Sequence, residues 1–193
     1  MEKPLLGQKI AFLVANGFYE DDMVQSQRAL QALGANIRVV SMDRGLVNSW
    51  NGEGWGLHFA ADNALNTALA ADYDMLVVPG GRRSIDKLKL TAHTGRFMGG
   101  FLGASKPVAI FGSALELLVF FEKAPGYEVA GPARLQGDAE RAGAIWEGHG
   151  PVISGSLLSA FVMDDNREEF VAEICRHFTA SLAKEGTEIG RAA

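Results

Sequence analysis

Apolar residues in this chain gather in short, nearly continuous runs separated by longer amphipathic or polar stretches. Ile10 to Ala15 reads Ile-Ala-Phe-Leu-Val-Ala and precedes Asn16-Gly17, the pattern of a parallel strand buried on both faces. Glu20-Asp21-Asp22 opens a helix carrying Met23, Val24, Leu30 and Leu33, and Gly34 closes it. Three acids in its first turn complement the helix dipole. Asn36 to Ser41 is the next strand, and this β-α-β order makes a parallel, right-handed unit the default. Gly45 to Ala60 breaks the alternation, and its Trp50-Asn51-Gly52-Glu53-Gly54-Trp55-Gly56 tract predicts a small hairpin or an ordered loop.

The pattern then predicts a helix over Asn63 to Ala71 and a buried strand over Met75 to Val78 that ends in Pro79-Gly80-Gly81-Arg82-Arg83. A helix near Thr94 to Gly103 leads into a strand from Val108 to Phe111 and a helix starting at Ser113. Val152-Ile153-Ser154 and Leu157-Leu158-Ser159 flank Gly155-Ser156, a two-residue hairpin signal. The last helix is expected from about Asn166 to Ala183, with fraying after Lys184. Its Phe170, Ile174, Phe178 and Leu182 recur at every fourth place, a stripe that packs on a sheet. Together these elements give an α/β fold with a mostly parallel central sheet, helices on both faces and a small hairpin.

Residues 1–193 suit one domain, with a core over about 9–183, and an apolar share of 48% is enough to fill it. A net charge of −5 argues against nucleic acid as a partner, because phosphate binding needs clustered Lys and Arg. No apolar run reaches the length of a membrane span, so no membrane partner is expected. The first nine residues carry no secretory apolar stretch, and one cysteine makes no internal disulfide. A cytoplasmic location is expected.

The segment from Lys106 to Leu118 concentrates the functional question. Strand, sharp turn and helix in that order present a nucleophile at the carboxyl end of a parallel sheet. Here the turn holds Phe111, Gly112 and Ser113, and the one cysteine stands far off at Cys175.

These residues carry a family resemblance. Val14-Ala15-Asn16-Gly17-Phe18-Tyr19-Glu20-Asp21 follows the first strand, and Trp50-Asn51-Gly52 with Trp55-Gly56 fills the insert. Tyr73-Asp74-Met75-Leu76-Val77-Val78-Pro79-Gly80-Gly81, Lys106-Pro107-Val108-Ala109 and Ala142-Gly143-Ala144-Ile145-Trp146 complete the series. Over roughly Lys9 to Leu182 the chain resembles the ThiJ/PfpI superfamily, with the class I glutamine amidotransferase-like fold, in its PfpI-type intracellular protease branch. The resemblance implies a flavodoxin-like three-layer sandwich and a homodimer or larger assembly.

Where the family pattern has Cys-His-Gly-Pro, an ungapped count places Gly112 and Ser113 at the cysteine and histidine, followed by Ala114 and Leu115. The family's Thr-Ser-Arg-Gly stretch reads Leu158-Ser159-Ala160-Phe161, without its arginine. The peptidase, glyoxalase or deglycase chemistry of the family therefore does not carry over.

By the resemblance, Glu20 matches the acid that contacts the cysteine, and Asp86 a position that supplies an acid across a subunit contact. The Gly80 and Gly81 amides match an oxyanion hole, and with Arg82 and Arg83 they form a candidate site for a small anion. Each has an ordinary reading: Glu20 as a helix-start charge, Arg82 and Arg83 as surface residues, Asp86 as a surface carboxylate. Ser113-Ala114-Leu115-Glu116 reads as a capping box, which favours Ser113 as a cap over a displaced nucleophile.

His58, His93, His149 and His177 lack metal-ligand spacing, and no Gly-x-Gly-x-x-Gly follows the first strand. No metal or cofactor is expected. Cys175 reads as a packed thiol, and Trp50, Trp55 and Trp146 as core or interface anchors. The expected function is a non-catalytic binding or assembly module with a remodelled pocket near Glu20, Gly80, Gly81, Gly112 and Ser113. The rival is a hydrolase or aldehyde-processing enzyme that uses Ser113 or Glu20.

Overall fold

The computed structural model describes residues 3–42 and 44–191. The strands are β1 (Lys9–Leu13), β2 (Phe18–Tyr19), β3 (Asn36–Ser41), β4 (Gly45–Trp50), β5 (Trp55–Ala61), β6 (Asn63–Ala64), β7 (Met75–Val78), β8 (Val108–Phe111), β9 (Glu128–Ala130), β10 (Ile145–Gly148), β11 (Val152–Ser154) and β12 (Leu157–Ala160). The helices are α1 (Glu20–Ala32), α2 (Arg82–Leu88), α3 (Ala92–Gly103), α4 (Leu115–Phe120), α5 (Gln136–Arg141) and α6 (Arg167–Arg191).

The central sheet has seven strands in the order β11-β12-β8-β7-β1-β3-β6, and only β11 runs antiparallel to its neighbour. Successive side chains of a strand point to opposite faces, and the apolar runs feed two cores accordingly. Ile10, Phe12 and Val14 face one core with Phe170, Ile174 and Phe178 of α6 and Met23 and Leu30 of α1. Ala11 and Leu13 face the other with Phe97 and Phe101 of α3, Ile85 of α2 and Leu117 of α4. This is the expected three-layer α/β sandwich. No described helix is long and apolar enough to cross a membrane.

The Gly45 to Ala60 insert is an antiparallel hairpin, β4 on β5, with β2 added at its other edge. Val152 to Ser154 and Leu157 to Ser159 pair as expected across Gly155-Ser156. Two elements differ from expectation. The helix expected over Asn63 to Ala71 is absent: Asn63–Ala64 pairs with β3, and a single 3₁₀ turn spans Ala70–Asp72. Arg96 Nη2 takes the carbonyl oxygens of Leu65 at 2.9 Å and Ala68 at 3.1 Å, which a helix would need for its own amides. At the far end, α6 continues past Ala183 to Arg191, since no proline follows Ala183 to stop it.

Candidate functional site

The carboxyl ends of β8, β7 and β1, adjacent in the sheet, open on one side of the molecule. The chain leaves β1 for β3 on one side and later fills β7 on the other, so this edge is the switch point of the sheet. The turns there hold Tyr19 and Asp22 after β1, Gly80 and Gly81 after β7, and Gly112 and Ser113 after β8, while Phe161 and Val162 follow β12. They enclose a cavity of about 320 Å3 bounded by Tyr19, Asp22, Gly80, Phe111, Gly112, Ser113, Phe161 and Val162, with Pro132, Arg82 and Arg134 at its edge.

Gly112 begins a 3₁₀ turn (Gly112–Ala114) with φ +36°, a conformation that side chains with a Cβ rarely adopt. A Cβ placed there would point into open space, its nearest neighbours being Val162 N at 3.8 Å and Phe161 Cδ2 at 3.9 Å. The turn after β8 therefore places a residue without a side chain, in left-handed geometry, beside the cavity.

Ser113 is not a helix cap. The turn and α4 have no side-chain cap, and Ser113 Oγ instead accepts the Gly81 N–H at 3.1 Å. Glu116, the other half of the expected capping box, is buried and bound by Lys89 and Arg134. Burial pushes the Glu116 carboxyl up, but the hydrogen bonds from Lys89 and Arg134 outweigh it and hold it below the ordinary carboxylate range. Both residues have their partners on other elements. No described histidine or carboxylate is hydrogen-bonded to Ser113.

The expected anion cradle is also not formed as read. The Gly80 N–H donates to Asp22 Oδ2 at 3.0 Å, and the Gly81 N–H is held by Ser113. Gly81 itself has φ +118° and lies so close to β2 that a Cβ would sit 2.6 Å from the Gly17 carbonyl oxygen. Arg83 turns away and stacks its guanidinium 3.8 Å from the centre of the Trp50 ring. Arg82 stays at the cavity edge, its Nε bonded to Asp86 one helical turn on at 3.1 Å. Asp86 is half-exposed on α2, paired with Arg82 and, at 3.7 Å, with Lys89.

Glu20 does not reach this cavity. Its Oε2 accepts the Ser49 hydroxyl and the Leu57 N–H, the latter at 2.7 Å, and so clamps the start of α1 to the hairpin. The carboxyl group that does bound the cavity is Asp22, which is 2% exposed. On a helix, positions two apart lie on nearly opposite sides, whereas Asp22, Ser26 and Leu30 share one face. That buried face of α1 is where Asp22, Met23, Ser26 and Leu30 all lie, and this periodicity was the signal that could have found Asp22. Arg167 at the start of α6 donates to Asp22 Oδ1 through Nε at 2.8 Å. It also binds Asp164 at 2.7 Å. A buried guanidinium thus stands beside this acid, although the expected stretch near Ser159 has none. Burial raises the Asp22 pKa to about 6, against the opposing pull of Arg167 and the Gly80 amide.

Cys175 lies on α6 beside Leu33 and Arg176, in a separate hollow, and burial pushes its thiol pKa up. It is a packed thiol.

A parallel three-layer sandwich with its pocket at the switch point and a turn of this kind after β8 defines a DJ-1-like class of protein. The DJ-1/PfpI family model matches residues 8–177, and the chain belongs to that family. It is 26% identical over 168 residues to YraA of Bacillus subtilis, whose name marks it as a candidate cysteine protease, covering 84% of this chain and 96% of YraA. It is 23% identical over 157 residues to the deglycase PH1704 of Pyrococcus horikoshii, covering 81% of this chain and 92% of the deglycase. Among solved structures, a two-domain protein of Anabaena variabilis with DJ-1/ThiJ/PfpI-like and ferritin-like domains superposes with a TM-score of 0.79 at 22% identity. That match covers 86% of this chain and 47% of the Anabaena protein.

Proposed function

We propose that this chain is a non-catalytic member of the DJ-1/PfpI family that binds a small molecule in the cavity over Gly112 and self-associates. One observation carries the reading: the elbow position at the cavity floor is a glycine in left-handed geometry, and the volume a nucleophile would fill is open. Ser113 does not substitute for a cysteine. Its oxygen accepts an amide hydrogen, and among the described residues no base is bonded to it to take its proton. A cavity of about 320 Å3 with mainly apolar walls and a few convergent polar groups has the character of a ligand site.

The protease and deglycase activities named for the relatives are the reactions to test. Purified protein should turn over neither methylglyoxal nor peptide amides faster than buffer does. Reproducible turnover that disappears in Ser113→Ala, with unfolding stability unchanged, would establish the rival enzyme reading instead.

A further inference from the structure

The wall that separates the cavity over Gly112 from its neighbour is cationic. A second cavity, of about 330 Å3, lies between α2, α4 and the start of α5. Arg82 and Arg134 line both cavities. From these observations, and resting on the small-molecule reading above, we propose that Arg82 and Arg134 form the recognition site for a monocarboxylate whose apolar body lies in the cavity over Gly112.

The two guanidinium groups are anchored in a way that leaves donors for a ligand. Arg82 is held through Nε by Asp86. Its two terminal nitrogens have no partner among the described residues. Arg134 is held through Nη1 by Glu116, leaving Nε and Nη2 without a described partner. A planar guanidinium fixed at one nitrogen and open at the others is suited to a carboxylate.

Charge balance selects the valence. Arg82, Lys89 and Arg134 face the carboxylates of Asp86 and Glu116, so three cations meet two anions. Asp138, on the rim of the second cavity, is paired with Arg141. Asp22, in the first cavity, lies in a separate cluster, where Arg167 is shared with Asp164 and Asp21. At the wall itself one positive charge is left over, in a protein whose net charge is −5. A single carboxylate neutralises it, whereas a dianionic phosphate overshoots it. Beside the polar groups of Tyr19, Asp22 and Ser113, the walls from Phe111, Pro132, Phe161 and Val162 offer contact to a hydrocarbon chain, which a bare inorganic anion lacks.

The test uses hexanoate, its neutral isostere hexanamide, and inorganic phosphate as probes, with binding followed by calorimetry and saturation-transfer NMR. Hexanoate should bind at least about tenfold more tightly than hexanamide or phosphate. Arg134→Gln should weaken hexanoate about tenfold and leave hexanamide unchanged. Arg134 also binds buried Glu116, so Arg82→Gln, at an exposed pair, provides a second variant that leaves the core untouched and should show the same selective loss. Val162→Trp should block both organic probes. Equal binding of hexanoate and hexanamide, blocked by Val162→Trp, would retain the pocket as a binding site and overturn the carboxylate assignment. Phosphate binding as tight as hexanoate, or no hexanoate binding at millimolar concentration, would also overturn it.

Discussion

Asp22 and Arg167 meet at 2.8 Å across 145 positions of sequence, and both are almost fully buried. This pair ties the first turn of α1 to the first turn of α6, and through the Gly80 amide it reaches the turn after β7. It is the main ionic link between the cavity and the helical layer behind it.

A pH dependence of stability follows. Asp22 has a folded pKa raised from 3.8 to about 6, so the folded protein holds this proton at pH values where the unfolded chain has lost it. The cost of ionising Asp22 is therefore present above about pH 6 and is relieved as pH falls toward 4, by up to about 3 kcal/mol. Glu116 acts in the opposite sense. Its folded pKa is lowered, so its contribution is present above its ordinary value of 4.5 and lost as pH falls below it. Urea midpoints should peak at mildly acidic pH, and Asp22→Asn should flatten the slope between pH 4 and pH 6. A wild-type midpoint that falls steadily from pH 7 to pH 5 would contradict this.

Gly112→Cys, made in a Cys175→Ala background, should fold. The added side chain has room, but φ +36° disfavours a Cβ, so a stability loss of about 1–3 kcal/mol is expected. The thiol opens into the cavity and should react with iodoacetamide much faster than Cys175 does in the parent. A variant as stable as its parent with a slow thiol would show that position 112 is not at an elbow.

The hairpin offers a paired comparison. A Cβ on Gly56 would sit 1.9 Å from Glu20 Oε2 and 2.7 Å from Ser49 Oγ, whereas one on Gly54 would meet nothing within 4 Å. Gly56→Ala must therefore displace the Glu20 clamp and should cost about 1–3 kcal/mol. Gly54→Ala should be neutral within about 0.5 kcal/mol. Equal denaturation midpoints for the two variants would count against the clamp.

Self-association is expected to involve the hairpin. Leu46 on β4 and Trp55 and Leu57 on β5 are all more than half exposed, and β5 is the edge of its sheet. Light scattering at micromolar concentration should give at least twice the mass of one chain. The combined change Trp55→Glu with Leu57→Glu should reduce the mass to that of a monomer. A wild-type monomer, or a dimer indifferent to those changes, would place the contact elsewhere or remove it.

Sequence and structure agree where local pattern and tertiary environment ask for the same thing. β1, β7 and β8 were legible because each is a short apolar run buried on both faces. The hairpins were legible from their turn residues, and α6 from its four-residue stripe. The site was legible in position but not in detail. Ser113 and Glu116 stand at capping-box spacing, yet their partners come from Gly81, Lys89 and Arg134, which no local window contains. The helix expected after Asn63 gave way to carbonyl contacts from Arg96, some 30 residues downstream. Glu20 and Asp22 share a helical turn, so the choice between them rested on helix phase, and the core stripe through Ser26 and Leu30 favoured Asp22.

The engagement of the Gly80 and Gly81 amides bears on what a thiol placed on this scaffold could do. Acyl transfer at an elbow develops negative charge on a carbonyl oxygen, and that oxygen needs donors fixed in advance. Here one amide points at Asp22 and the other at Ser113. A cysteine placed at position 112 would supply a nucleophile and still face a transition state with the Gly80 and Gly81 amides already committed elsewhere. On the non-catalytic reading proposed above, acquiring acyl-transfer chemistry is thus a change of at least two parts, at Ser113 as well as at Gly112, and single-substitution searches for such activity should come back empty.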